Sequence, residues 1–361
     1  MKLLITGMMG PGTLEAKIVP LAKLDVVSEI IFVRKSPGSK IPKTKYIQVP
    51  LINLFPFLHL IITPLKLLQI VLSHKPNLIV GYHIIPYGFF VAIIGIVSKT
   101  PYVIGQTGLT IQELSSKWYF KIFLSYIFKN SLQVNCPGSS SVRFWQYTFP
   151  EIKERFTVLH STIDTEIFKH KSHVTKVYDF IVLSRLAPIK NIDIIISAFS
   201  KIVYENSIKI KPSLVIVGSG PEEQKLKNIV QNLKLEEYVS FTGFVKETSE
   251  VLNQSRFMVM ASSSEGLPTA MMQAMSCEVI PISNIVGNIG DLIEDRVTGL
   301  SHDGTVDSIY QSFMISLNLS DKDYSTMKKA ARMRIVMQHS HSSSLTKWDV
   351  VLKRLCHNLG T

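Results

Sequence analysis

Short apolar runs bounded by polar turns recur along the whole chain and alternate with longer stretches of helical periodicity. In the first half the runs are Lys2–Thr6, Glu29–Val33, Pro76–Gly81, Tyr102–Gly105 and Ser131–Asn135. In the second half they are Tyr178–Leu183, Ser213–Val217, Val239–Phe241, Phe257–Met260 and Glu278–Ile282. Runs this short and this apolar fit parallel strands buried on both faces. The spacing predicts helices at Lys117–Lys129, from Gly138 to Trp145, at Ile192–Ile202 and at Ala270–Met275, with terminal helices from Ala330 onward. Strand and helix in alternation predict an α/β chain, and 361 residues exceed what one core usually serves, so two domains are expected.

Two stretches leave their packing open. Pro50–Leu72 is rich in Leu, Ile and Phe but interrupted by Pro56, His59, Pro64 and Lys66. It reads either as a core helix or as an amphipathic helix at a membrane interface; a spanning helix needs about 20 clean apolar residues. Ile84–Val97 is likewise too short to span. In Lys117–Lys129, Trp118, Tyr119, Phe120 and Phe123 read as a mostly core-facing stripe.

Charge changes the picture of the first half. Residues 1–170 carry 18 Lys and Arg against 8 Asp and Glu, whereas the remainder is nearly balanced, and no acid lies between Glu29 and Glu113. A basic, apolar half suggests an anionic partner surface. No aromatic-basic or helix-turn-helix signature points to nucleic acid, so a membrane surface is the expected partner. The basic segment from Arg34 to Lys45 reads as a solvated loop. Cys136, Cys277 and Cys356 are too scattered for disulfides or zinc and suit a reducing, cytosolic setting. Lys2–Thr6 is too short for a signal-peptide core. Asp321-Lys322-Asp323 reads as a helix-capping pair rather than a metal site.

The candidate chemistry gathers at strand ends. After Phe257–Met260 comes a serine-rich turn carrying Glu265, then Gly266, Leu267, Pro268 and Thr269 opening a helix whose free N–H groups favour phosphate. After Tyr178–Leu183 come Arg185 and Lys190; after Ser213–Val217 comes Gly218-Ser219-Gly220; after Val239–Phe241 come Gly243, Phe244 and Val245. In the first half a glycine-rich turn with Gly10 and Gly12 follows the opening strand, and His83 and Thr107 stand just past two others.

This arrangement resembles the retaining GT-B glycosyltransferases of family four, the group one transferases, strongly over 177–300 and weakly before. Glu265-Gly266-Leu267-Pro268 matches the first part of the family's paired-carboxylate motif; the second carboxylate is replaced by Gln273. Ser184-Arg185-Leu186 followed by Lys190 is similar to its Gly-Arg-Leu…Lys-Gly motif, and Asp164 with Phe168 to its domain-closing sequence. Many relatives carry His where Thr107 stands, which leaves His83 as the neighbouring imidazole.

The resemblance implies two Rossmann-like domains facing across a cleft: 1–168 for the acceptor, a linker at 169–176, 177–335 for the donor, and 336–361 as a helix returning to the first. It implies transfer of a sugar, with retention and without a metal or other cofactor, from a nucleotide-sugar to a saccharide acceptor, lipid-linked given the basic first half. The setting would be surface polysaccharide or glycoconjugate synthesis, peripheral at the cytoplasmic face of the cell membrane. Arg185 and Lys190 would hold the diphosphate and Glu265 the sugar. Gly218, Gly220, Gly243 to Val245, Gly266 to Thr269 and Gln273 would line the donor site, and Gly10, Gly12, His83 and Thr107 the acceptor side. A degenerate, non-catalytic assembly partner and a sugar-nucleotide epimerase are the alternatives on the same fold.

Overall fold

The computed structural model describes all residues except 37, 50–57, 108–114, 116, 160, 206, 208–210 and 360–361. The chain divides into two compact units, Met1–Thr162 with His341–Thr361, and Ile163–Ser340.

The first unit is built on a parallel sheet of β1 (Lys2–Thr6), β2 (Glu29–Arg34), β3 (Thr44–Gln48), β4 (Leu78–Tyr82), β5 (Tyr102–Gly105), β6 (Gln133–Cys136) and β7 (Phe156–Val158). Its order is β3-β2-β1-β4-β5-β6-β7, so the chain reverses direction across the sheet between β1 and β4. Helix α1 (Pro11–Lys23) covers one face. The other is covered by α2 (His59–His74), α3 (Phe89–Ser98), α4 (Trp118–Lys129) and α5 (Ser139–Thr148).

The second unit repeats the plan with β8 (Tyr178–Leu183), β9 (Leu214–Val217), β10 (Val239–Gly243), β11 (Ser255–Met260), β12 (Ile280–Asn284) and β13 (Leu300–His302). The order β10-β9-β8-β11-β12-β13 places its own reversal between β8 and β11. Helices α6 (Ile192–Val203), α7 (Glu223–Asn232) and α10 (Val306–Leu317) pack on one face. On the other lie α8 (Thr248–Asn253), α9 (Thr269–Ser276) and α11 (Asp321–Gln338). The last helix, α12 (His341–Leu359), belongs to the first unit, where Trp348, Val351, Leu352 and Leu355 are buried with residues of α1.

Four sequence expectations are corrected. The break falls at Thr162/Ile163 rather than after 168, because Ile163 is buried in the second core and its N–H donates to the His339 carbonyl at 2.9 Å. Residues 169–176 are not a free linker. Asn253 Oδ1 accepts from Lys171 N at 2.7 Å, Asn253 Nδ2 donates to Lys169 O at 3.0 Å, and Lys176 Nζ donates to Ser255 O at 2.7 Å. The basic segment contains the start of edge strand β3 and a partly buried Arg34 whose Nη2 donates to Met9 O at 3.0 Å. In α4 the buried residues are Leu124, Ile127 and Phe128, while Trp118 and Tyr119 are exposed.

At Asp321 the capping residue is Ser320. Its Oγ accepts from Asp323 N at 3.1 Å and donates to Asp323 Oδ2 at 2.7 Å, and Asp321 and Asp323 both lie in the first helical turn, where acids are favoured. Cys136 and Cys277 are buried free thiols.

Candidate donor site

At the carboxyl ends of β8, β9 and β10 the connecting turns are laced together by backbone hydrogen bonds. Ser184 N donates to Val217 O, Leu186 N to Ser219 O, Glu222 N to Leu186 O and Gly218 N to Gly243 O, at 2.8–3.1 Å. The glycines make this possible. A β-carbon on Gly218 would lie 1.9 Å from the Ser184 carbonyl oxygen, and one on Gly220 would lie 2.2 Å from that of Leu186. Gly218 and Gly243 also have φ of +137° and +69°, the region where a side chain is strained. These turns enclose a cavity of about 600 Å³ beside the β8/β11 reversal, the usual crevice for a ligand in an open parallel sheet.

Arg185, Gly218, Gly220, Phe244, Val245 and Gln273 line that cavity together. Arg185 is exposed and, among the described residues, has no acidic partner, so its charge is available to a ligand. Phe244 presents a ring that is 76% exposed. Gln273, one turn into α9, lines the cavity as well. Ser184, Ser219 and Thr248 add hydroxyl groups to the wall; the first two adjoin residues already marked, whereas Thr248 opens a six-residue helix with no motif to announce it.

Lys190 and Glu265 do not line the cavity but meet each other. Lys190 ends a short 3₁₀ turn, Pro188–Lys190, ahead of α6, and its ammonium is 2.5 Å from Glu265 Oε1. Both side chains are mostly buried, at 21% and 10% exposure. The turn after β11 is fixed against the turn after β8 by Ser263 N donating to Ile189 O at 3.0 Å and by Asn191 Nδ2 donating to Ala261 O at 2.9 Å. Gly266 O accepts from Asn288 N, Leu267 packs on the core, and Pro268 is the N-cap of α9 rather than its first residue, so Thr269 opens the helix. The N–H groups of that first turn have no partner within the helix.

The remaining candidates lie in the first unit, at the carboxyl ends of adjacent strands. Gly10 caps α1 in extended conformation, and Gly12 is in the first turn of that helix. Gly10 borders a separate cavity of about 560 Å³ with Gly7, Arg34 and Lys35. His83 follows β4 with φ +72°; its N–H donates to Gly105 O, and burial lowers its pKa below the ordinary imidazole value. Thr107 is half-buried, and among the described residues its Oγ1 has no hydrogen-bond partner.

Two parallel Rossmann-like sheets with a cation and a glycine cradle at the switch point of the second define a protein of the GT-B fold. Residues 163–334 match the family described as "Glycosyl transferases group 1", and the second unit belongs to that family. The chain is 33% identical over 117 residues to N-acetyl-alpha-D-glucosaminyl L-malate synthase of Bacillus anthracis, covering 32% of this chain and 30% of that protein. It is 26% identical over 227 residues to a GalNAc-alpha-(1->4)-GalNAc-alpha-(1->3)-diNAcBac-PP-undecaprenol alpha-1,4-N-acetyl-D-galactosaminyltransferase of Campylobacter jejuni, covering 63% and 60%. The matches thus span from under a third to about three fifths of these relatives' lengths. Among solved structures, HepE of Anabaena in complex with UDP superposes with a TM-score of 0.78 at 16% identity, over 98% of this chain and all of that one.

Proposed function

We propose that the protein is a glycosyltransferase that moves a sugar from a nucleoside-diphosphate donor to a saccharide acceptor, with retention and without a metal. The observation that carries this reading is the cavity lined together by the Gly218–Gly220 turn, Gln273 and Arg185, which among the described residues has no acidic partner. As the bond from sugar to diphosphate breaks, negative charge grows on the leaving phosphate. A fixed guanidinium stabilises that charge more than it stabilises the intact donor, which is the requirement for catalysis. Lys190 adds a second cation, held in place by Glu265, whose carboxylate is the group assigned to the sugar hydroxyls. The acceptor hydroxyl would attack on the face from which the diphosphate leaves, passing its proton to the departing phosphate oxygen.

The two relatives above act, by name, on a small acid and on an undecaprenol-linked saccharide. The basic first half favours the second kind, a lipid-linked saccharide in glycoconjugate synthesis. Titration calorimetry with UDP, GDP and ADP, followed by radiolabelled sugar transfer in the presence of EDTA, tests the reading. Arg185→Ala is expected to weaken nucleotide binding and to lower turnover about 10²–10³-fold, as loss of one charge-stabilising donor does. Gln273→Glu is expected to tighten donor binding, since hydrogen bonds to a charged acceptor are the stronger ones. Binding of no nucleotide, or an unchanged Arg185→Ala, overturns the assignment; binding without transfer to any acceptor favours the non-catalytic relative.

A further inference from the structure

The outer surface of the α2–α3–α4 layer is apolar where a water-facing surface is normally polar. On α2, Leu60, Ile61, Leu65 and Leu72 are at least half exposed, at 50–67%. On α3, Ile93 and Val97 face outward. On α4, Trp118, Ile122 and Tyr126 form a stripe at four-residue spacing, all exposed. The three helices are contiguous: α2 packs on α3 and α3 on α4. Between them opens an apolar groove of about 510 Å³ whose walls include Leu60, Phe89, Tyr119 and Phe123. Monomeric proteins rarely leave a continuous apolar surface of this kind, and its presence marks an interaction site.

Its charge identifies the partner. Lys75, Lys99, Lys117, Lys121 and Lys129 are exposed on or beside these helices, and among the described residues none has an acidic partner. From residue 30 to residue 150 the chain holds a single acid, Glu113. A protein partner or a second copy of this chain would have to leave these ammonium groups unpaired or supply acids that this surface itself lacks. An anionic bilayer supplies phosphates for the lysines and acyl chains for the leucines, isoleucines and the tryptophan at once. No helix among the described residues is long and apolar enough to cross a membrane, so the contact is interfacial.

We infer that the outer face of α2, α3 and α4 docks on an anionic lipid bilayer, with the apolar side chains entering the interface and the lysines at headgroup level. This rests on exposure and charge in the first unit and is independent of the donor-site reading. The test is flotation of the full chain with vesicles of phosphatidylcholine plus phosphatidylglycerol, against phosphatidylcholine alone, at low and high salt. Wild type is expected to float with the anionic vesicles, less so at high salt, with a blue shift in tryptophan emission. That shift reports Trp118, since Trp145 and Trp348 are buried. Leu65→Glu with Ile122→Glu is expected to lower partitioning by at least about tenfold, whereas Met337→Glu, at an exposed position of the second unit, leaves it unchanged. Circular dichroism confirms that the variants are folded. Failure of wild type to float on anionic vesicles overturns the inference, as does equal flotation of the double variant. So does a concentration-dependent dimer that the double variant dissolves without any vesicle binding, which would make the face a contact between copies.

Discussion

Lys17 shows how strongly one residue can be governed by its surroundings. It lies on the inner side of α1, 5% exposed, with its ammonium 3.4 Å from the Leu159 carbonyl and 6.0 Å from the centre of the Tyr82 ring. Burial, with Lys347 adding repulsion, lowers its pKa from 10.5 to about 8. Below pH 8 both folded and unfolded chains hold the proton, and the folded state bears the full cost of a buried charge. Between about 8 and 10.5 the folded state releases the proton while the unfolded chain keeps it, so the contribution of Lys17 to stability rises with pH across that window. At about 1.4 kcal/mol per pH unit the cost at neutral pH is at most about 3 kcal/mol. Lys17→Met is therefore expected to stabilise the first unit by about 1–3 kcal/mol at pH 7, the lower figure allowing for the Leu159 carbonyl left without its donor. It should also shrink the rise between pH 8 and 10. Lys176, likewise lowered to about 8 by burial, contributes a rise of the same sign to the second unit. Urea titrations at several pH values measure both effects; a variant less stable at pH 7 would show that the ammonium is a net stabiliser.

Strands and turns show why some elements are legible in a sequence and others are not. The central strands were readable because burial on both faces demands an unbroken apolar run, as in Phe257–Met260. Edge strand β3, Thr-Lys-Tyr-Ile-Gln, is only half-covered and reads as a basic loop. Helix α4 was readable as a helix but not in its facing, because both of its sides are apolar and periodicity cannot say which turns inward. At the site, Arg185, Gly218, Gly220 and Gln273 are marked in the sequence by the family resemblance, and the fold does bring them to one cavity. The pairing of Lys190 with Glu265, 75 residues apart, depends on β8 and β11 being neighbours and has no local signal. The two kinds of glycine in these turns can be told apart by substitution. Gly243→Ala meets nothing within 4 Å and costs only its positive φ, about 1–2 kcal/mol. Gly218→Ala adds a backbone clash that forces the β9 turn away from Arg185, so it should cost more and weaken nucleotide binding as well. Chemical denaturation with parallel calorimetry separates them; equal losses in both variants would mean that the turn yields without disturbing Arg185.

At the scale of the whole molecule, the chain's last helix completes its first unit. Trp348 is 1% exposed and packs with Leu14, Ile18 and Leu21 in the core under α1. A first unit cut at Thr162 would expose that core, whereas 163–340 holds its own. The physical consequence is that a change near the carboxyl terminus should be felt at β1, more than 300 residues earlier in sequence. Trp348→Ala is expected to cost about 3–5 kcal/mol, the usual range for deleting a buried aromatic. Against a domain stability of about 5–15 kcal/mol that is a large fraction. Hydrogen exchange followed by mass spectrometry localises the loss: exchange in β1 and α1 should rise by about two to three and a half orders of magnitude, since about 1.4 kcal/mol corresponds to tenfold. A saturating nucleotide at the proposed site beside β8 and β9 should leave that acceleration in place while protecting those strands, because a ligand stabilises what its binding state contains. Unchanged exchange in β1 would show that α12 adds little to the stability of the core it covers.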